Sequence, residues 1–212
     1  MLSSSSKAVF SAGLDLTEMY KPDLTRLAAF WCAFQQVYLD LYGSRLACIA
    51  AVEGHAPAAG CMLSLACDYR IMSATDGKLR PTTGLNESQF GIVAPPWLAE
   101  MMASTIGQRE TEKALALGTL FSPEDAQRIN LIDEVVPQEC VLVKAEQEAI
   151  KWAKIPSQAR VASKMLMRQK KLLHLLAHRQ EDIDSFVTFA TTDRVQGALG
   201  IYLDSLKKKG KS

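Results

Sequence analysis

The sequence predicts an α/β fold with a helical C-terminal region, and three observations carry that prediction. Leu46 to Val52 is a short, unbroken apolar run that stops at Gly54. That is the pattern of a strand buried on both faces in a parallel sheet. Leu24 to Tyr42 places Leu24, Leu27, Ala28, Trp31, Phe34, Tyr38 and Leu41 at steps of three and four, one face of an amphipathic helix. From Pro96 onward the periodicity is mostly helical. Buried strands followed by helices, with helices dominating the last third, indicate a sheet core covered by helices.

The elements follow in order. Lys7 to Phe10 reads as the tail of a strand. Pro22-Asp23 starts the first helix and Gly43 stops it. After the strand 46–52, Ala58 to Cys67 reads as a buried helix of small and apolar residues, and Asp68 to Ala74 as a further strand. Thr75 to Thr83 is polar and turn-rich. Helices are expected over Trp97–Ile106, Glu110–Leu117 and Pro123–Ile129, the last opened by Ser122-Pro123. Leu131 to Val136 is a short strand ending at Pro137. A helix over Glu139–Lys154 is closed by Pro156. The remainder is helical, with breaks near His174 and Thr191–Thr192. The expected division is an α/β core over residues 1–155 and a helical region over 156–212.

Composition narrows the function classes. The chain has 212 residues, 48% hydrophobic and 22% charged, with a net charge of +1. No global field favours nucleic acid, and no aromatic residues interleave with the basic ones. No apolar run reaches bilayer length, so membrane insertion is not expected. The Ser-rich stretch Met1 to Lys7 has no apolar centre and no arginine, which matches neither a signal peptide nor a transit peptide. Cys32, Cys48, Cys61, Cys67 and Cys140 sit in apolar surroundings and read as free thiols of a reducing compartment. Their spacing matches no zinc pattern.

Three segments carry the chemistry. Ser11-Ala-Gly-Leu-Asp15 and Gly54-His-Ala-Pro-Ala-Ala-Gly-Cys61 each end an apolar run with small residues. There a backbone N–H is free to point into a pocket. Gly84-Leu-Asn-Glu87 then places one carboxylate in a Gly/Asn turn. Two fixed donors and one carboxylate suit proton abstraction next to a carbonyl: the donors hold the developing oxyanion and the carboxylate takes the proton.

At these residues the chain resembles the crotonase superfamily, and within it the mitochondrial Δ3,Δ2-enoyl-CoA isomerases. The matching text is Val9-Phe-Ser-Ala-Gly-Leu-Asp-Leu-Thr-Glu-Met19, Cys67-Asp-Tyr-Arg-Ile71, Gly84 to Ile92, and Leu131-Ile-Asp-Glu-Val-Val-Pro137. The resemblance runs over nearly the whole chain. It implies the spiral ββα crotonase core, also called ClpP-like. It implies backbone N–H groups of Leu14 and Ala59 as the oxyanion hole and Glu87 as the catalytic base. Ala12, Gly13, Leu14, Asp15 and Leu16 are implied to contact substrate, with Asn86 in the acyl pocket. Crotonase hydratases carry a second glutamate three residues after the Ala59 position, where this chain has Met62.

The resemblance therefore implies an isomerase that converts 3-cis- or 3-trans-enoyl-CoA to 2-trans-enoyl-CoA, an auxiliary step of fatty-acid β-oxidation. It implies no metal and no cofactor beyond the CoA of the substrate. Homotrimers built through the C-terminal helices, with Phe186, Phe189, Leu199 and Tyr202 at the contact, and a place in the mitochondrial matrix are also implied. An enoyl-CoA hydratase, a non-catalytic subunit and a CoA-ester binding protein remain as alternatives. Family members carry roughly sixty further residues upstream, so the core is expected to lack its N-terminal strands.

Other polar residues receive structural readings. Asp15, Asp68 and Asp133 are expected to cap neighbouring backbone. His174 and His178 share helical zinc-site spacing, but Leu175 stands where the glutamate of that motif belongs, so both read as surface residues. His55 reads as structural, near the pocket mouth. Arg160, Lys164, Arg168, Lys170 and Lys171 read as a solvated helix face. One or two of them, or the lysines of Lys207 to Lys211, are candidates for the CoA phosphates.

Overall fold

The computed structural model describes residues 1–209, with side chains as far as Leu206; the tail lysines Lys207 to Lys211 lie outside the described side chains. Its centre is a parallel three-stranded sheet in the order β1 (Ile49–Val52), β3 (Tyr69–Ser73), β5 (Glu134–Val136). The register pairs Ile49 with Tyr69 and Ile71 with Glu134. A two-stranded parallel ribbon joins β2 (Ala56–Pro57) to β4 (Thr83–Gly84).

Alternation along β1 explains its continuous apolar run. Ile49 and Ala51 point to one face and pack with Ile71, Val141 and Ala145 beneath α6 (Val141–Ala153). Ala50 and Val52 point to the other face and enter the main core. That second layer contains α1 (Leu24–Tyr42), α2 (Ala59–Ala66), α3 (Pro96–Ile106) and α4 (Gln108–Leu117). Helix α1 ends where the sequence places its ends. Asp23 caps it by accepting from the Arg26 N–H at 2.9 Å, and Gly43 follows its last turn. Its buried stripe runs Leu27, Trp31, Phe34, Tyr38, Tyr42.

Several expected elements are shorter than expected. The strand at Leu46 begins only at Ile49, because Leu46 is solvent-exposed and the Cys48 N–H is drawn to the Asp68 carboxylate at 2.8 Å. The strand expected at Lys7–Phe10 reduces to a single bridge from Val9 to His55. Gly54 permits that approach: a Cβ there would lie 2.2 Å from the Ala8 carbonyl carbon. The Leu131–Val136 strand contracts to β5 because Leu131 and Ile132 close the turn after α5 (Pro123–Arg128).

The C-terminal third is three helices: α7 (Ser157–Ala177), α8 (Arg179–Ala190) and α9 (Asp193–Lys209). The break expected near His174 falls at His178, since buried Leu172 and Leu175 hold α7 on the core for one further turn. The break at Thr191–Thr192 is as expected. Both hydroxyls donate back to carbonyls of α8 and so terminate it.

The basic face of α7 is not solvated throughout. Lys164 and Arg168 both pair with the buried Asp68, at 2.9 and 3.0 Å. Arg168 also donates to the carbonyls of Tyr42, Ala66 and Cys67, and Arg160 to that of Trp152. These three residues fasten the helical region to the core and are committed there. Lys170 is exposed, and Lys171 is partly so.

Candidate active site

The three segments singled out in the sequence meet at one cavity of about 120 Å³. Ala12, Gly13, Leu14, Leu16, Ala59, Asn86 and Glu87 all line it. Asp15 does not. Its carboxylate turns away to accept from the Thr17 N–H and hydroxyl, at 2.9 and 2.6 Å, and caps the turn Leu16–Glu18. Those bonds, the hydroxyl one first, hold its pKa below the usual carboxylate range. Asp15 is thus a structural residue, as its second reading in the sequence had it, and its side chain is not a cavity contact.

The first donor segment lies directly on the second. Gly13 takes φ +99°, and a Cβ built on it would touch the Ala58 Cβ at 3.4 Å and the Ala59 nitrogen at 3.8 Å. Only glycine adopts that conformation without cost. Ala58 itself has φ +50° and ψ −121°, a conformation disfavoured for a residue with a side chain. It makes the corner between β2 and α2, so that Ala59 begins the helix. Gly60 packs against the Ser11 carbonyl, 2.5 Å from where a Cβ would stand. Among the described residues, neither the Leu14 N–H nor the Ala59 N–H donates to another protein group. The first turn of α2 leaves such donors free and adds the positive end of its dipole.

Glu87 opens the short turn Glu87–Phe90. Ser88 Oγ donates to the Leu115 carbonyl at 2.6 Å and Gln89 Nε2 to the Gly118 carbonyl at 2.8 Å, which pins the turn to α4. Glu87 shares the cavity lining with the apolar Phe90, Ile92, Val93 and Leu98. Its Oε2 is buried and finds no hydrogen-bond partner among the described residues. Burial pushes its pKa up to about 7, partly opposed by its own backbone N–H. That is the range in which a carboxylate gains and loses a proton near neutrality.

Two residues expected at a subunit contact also reach this cavity. Phe186 and Tyr202 line the cavity, Phe186 against Trp31 and Tyr202 edge-on to Phe90 with centroids 4.5 Å apart. Leu199 is buried within its own chain. Trp31, Phe34 and Met19 also face the cavity. Sequence periodicity identified Trp31 and Phe34 only as core residues. His55 is absent from the lining and pairs through Nδ1 with Thr82, a structural role. His174 and His178 sit together on the surface, and among the described residues no cluster of three metal-ligating side chains forms. All five cysteines are free, Cys61 and Cys67 fully buried.

Comparison with known proteins gives the same assignment. The family described as enoyl-CoA hydratase/isomerase matches residues 1–211. The chain is 44% identical to mitochondrial enoyl-CoA delta isomerase 1 of Mus musculus, over 99% of this chain and 71% of that protein. It is 30% identical to 2,3-dehydroadipyl-CoA hydratase of Escherichia coli, over 89% of this chain and 71% of the other. The crystal structure of human mitochondrial delta3-delta2-enoyl-CoA isomerase superposes with a TM-score of 0.93 at 41% identity, covering 98% of this chain and 79% of that one. The chain belongs to the enoyl-CoA hydratase/isomerase family.

Proposed function

We propose that the chain is a Δ3,Δ2-enoyl-CoA isomerase acting in fatty-acid β-oxidation. One observation carries the reading: the one carboxylate lining the cavity, Glu87, with its buried Oε2 unpartnered among the described residues, shares that cavity with Leu14 and Ala59, whose backbone N–H groups are unpaired. Glu87 removes a proton from C2 of the 3-enoyl thioester. The electron pair moves into the C1 carbonyl, giving a dienolate whose oxygen accepts from both N–H groups. Glu87 then returns the proton to C4, and the double bond settles between C2 and C3. No atom is gained or lost, so one base suffices and no cofactor is consumed. Each such donor contributes about 3–4 kcal/mol to lowering the barrier.

The hydratase alternative is disfavoured by Met62. Adding water calls for a second group to position and split it, and Met62 is fully buried and cannot accept a proton. Acyl-CoA esters are the substrate class of the family. The mitochondrial names of the similar isomerases support a matrix location, and the exposed Leu166, Met167, Leu173 and Leu176 of α7 support assembly, here taken as a homotrimer. Light scattering over a dilution series tests that assembly, and a monomer throughout contradicts it.

The deciding experiment is a coupled assay of the 212-residue chain with a 3-enoyl-CoA, beside Glu87→Gln. Turnover in the parent that disappears in the variant supports the assignment. A soluble, folded parent with no turnover favours the non-catalytic reading.

A further inference from the structure

One wall of the cavity is a pair of stacked aromatic rings. Trp31 on α1 and Phe186 on α8 lie face to face, with centroids 3.6 Å apart and planes 7° from parallel. Phe34 and Trp97 tilt against Trp31, at 5.3 and 6.2 Å. The stack is anchored by a charge. Trp31 Nε1–H donates to Asp182 Oδ2 at 2.7 Å. The same oxygen accepts from Gln35 Nε2 at 2.7 Å and from Trp97 Nε1 at 3.4 Å. Gln35 is fully buried and is fixed in turn by Arg179, whose Nε donates to its Oε1 at 3.0 Å. Hydrogen bonds to a charged acceptor are about twice as strong as neutral ones. A buried indole N–H also needs a partner. The plane of Trp31 is therefore set by Asp182, and the plane of Phe186 by Trp31.

The cavity is partly open and small. An apolar cavity of about 150 Å³ accepts benzene, so about 120 Å³ holds on the order of five carbon atoms. A longer acyl chain that stays within the cavity needs the aromatic wall to move. We propose that the Trp31–Phe186 stack is the stop that limits acyl-chain length, and that Asp182 is the positioning residue that holds it. The inference rests on the acyl-thioester reading of the cavity. Asp182 touches no substrate in this assignment and acts through the Trp31 indole.

The test compares the parent with Phe186→Ala, Phe186→Leu, Asp182→Leu and Asp182→Asn. For each, kcat/KM is measured with 3-enoyl-CoA esters of six to twelve carbons. Dissociation constants are measured by calorimetry with saturated acyl-CoA esters of six to fourteen carbons, which need no turnover. Phe186→Ala is expected to raise the ratio of twelve-carbon to six-carbon kcat/KM by about tenfold or more, the scale of a methylene-sized change in an apolar pocket. Phe186→Leu, which keeps the core better filled, shifts the ratio the same way by less. Asp182→Leu raises it and changes tryptophan emission, whereas Asp182→Asn, retaining an oxygen acceptor, restores most of the parent profile. Equal loss at every chain length, with ratios within twofold of the parent, overturns the proposal. So does parent affinity still rising at fourteen carbons, or no binding of any ester. If the parent binds saturated esters with the expected stop but isomerises none, the isomerase reading fails and the chain-length stop stands.

Discussion

The N–H of Ala58 donates to the carbonyl of Gly84 at 2.8 Å. That bond joins the corner presenting one backbone donor to the turn presenting the carboxylate, three residues before Glu87. The relative position of Ala59 and Glu87 is thus set by the parallel ribbon β2–β4, together with the Ser88 and Gln89 bonds that pin the Glu87 turn. Main-chain ladders hold their geometry more tightly than loops, which suits groups that must act on adjacent atoms.

Glu87→Gln keeps the shape and removes the base. Turnover is expected to fall by at least the 10²–10⁴-fold typical of a positioned general base, while the CoA-ester dissociation constant stays within severalfold. Steady-state kinetics with equilibrium binding checks both. Turnover within tenfold of the parent removes Glu87 from the mechanism.

The pH dependence follows from the raised pKa of Glu87. The base must be ionised, so kcat/KM is expected to rise with pH through about 7 and then level. Stability moves the other way. The folded chain holds this proton more tightly than the unfolded one, with about 7 against 4.5. The contribution is complete below pH 4.5 and lost as pH rises through 7, up to about 3 kcal/mol. Melting curves of the parent against Glu87→Gln from pH 4 to 8 should show the parent losing ground over that window. Parallel curves would show a carboxylate with an ordinary pKa.

Gly60→Ala places a methyl 2.5 Å from the Ser11 carbonyl oxygen, which is main chain and has little room to yield. The two donor segments must separate. Activity is expected to fall by 10²-fold or more, the scale for one lost oxyanion donor, with a lower melting temperature. Full activity in a Gly60→Ala protein would mean that the close approach of Ser11 and Gly60 does not govern the site.

Asp15→Ala separates a substrate contact from a cap. The expected outcome is a stability loss below about 1 kcal/mol and KM within twofold of the parent. A KM rise of tenfold would return Asp15 to the binding site.

Asp68→Ala leaves Lys164 and Arg168 without their carboxylate in a buried setting. Removing one partner of a buried pair costs about 3–5 kcal/mol. Denaturant unfolding is expected to show that loss, with kcat per folded molecule unchanged. A loss under 1 kcal/mol would make these pairs incidental to the docking of α7.

The sequence made the helices legible through their period and caps, and β1 through its unbroken apolar run. Glu87 was legible as a lone carboxylate in a Gly/Asn turn, and as a base only through the family resemblance. The misreadings share one cause. Lys164 and Arg168 have the spacing of a solvated helix face, and only the distant Asp68 makes them interior. Phe186 is expected only at a subunit contact, and its stacking on Trp31 appears once the fold brings α8 against α1. Strand ends were blurred because Asp68 captures the Cys48 N–H from across the sheet. Local pattern records which residues prefer burial, while the identity of a long-range partner enters only through the fold.

Gln196 of α9 donates to the carbonyl of Met19 at 2.9 Å across 177 residues, and its Oε1 accepts from the Lys21 N–H at 2.7 Å. The stretch just after the first donor segment and α9 therefore close on each other. Loop closure over so long a span is entropically costly and slow, and no early segment contains the whole cavity. On a ribosome the residues that hold an oxyanion would emerge long before the wall that completes their pocket. Catalytic competence would then have to wait for α8 and α9, which carry Phe186 and Tyr202.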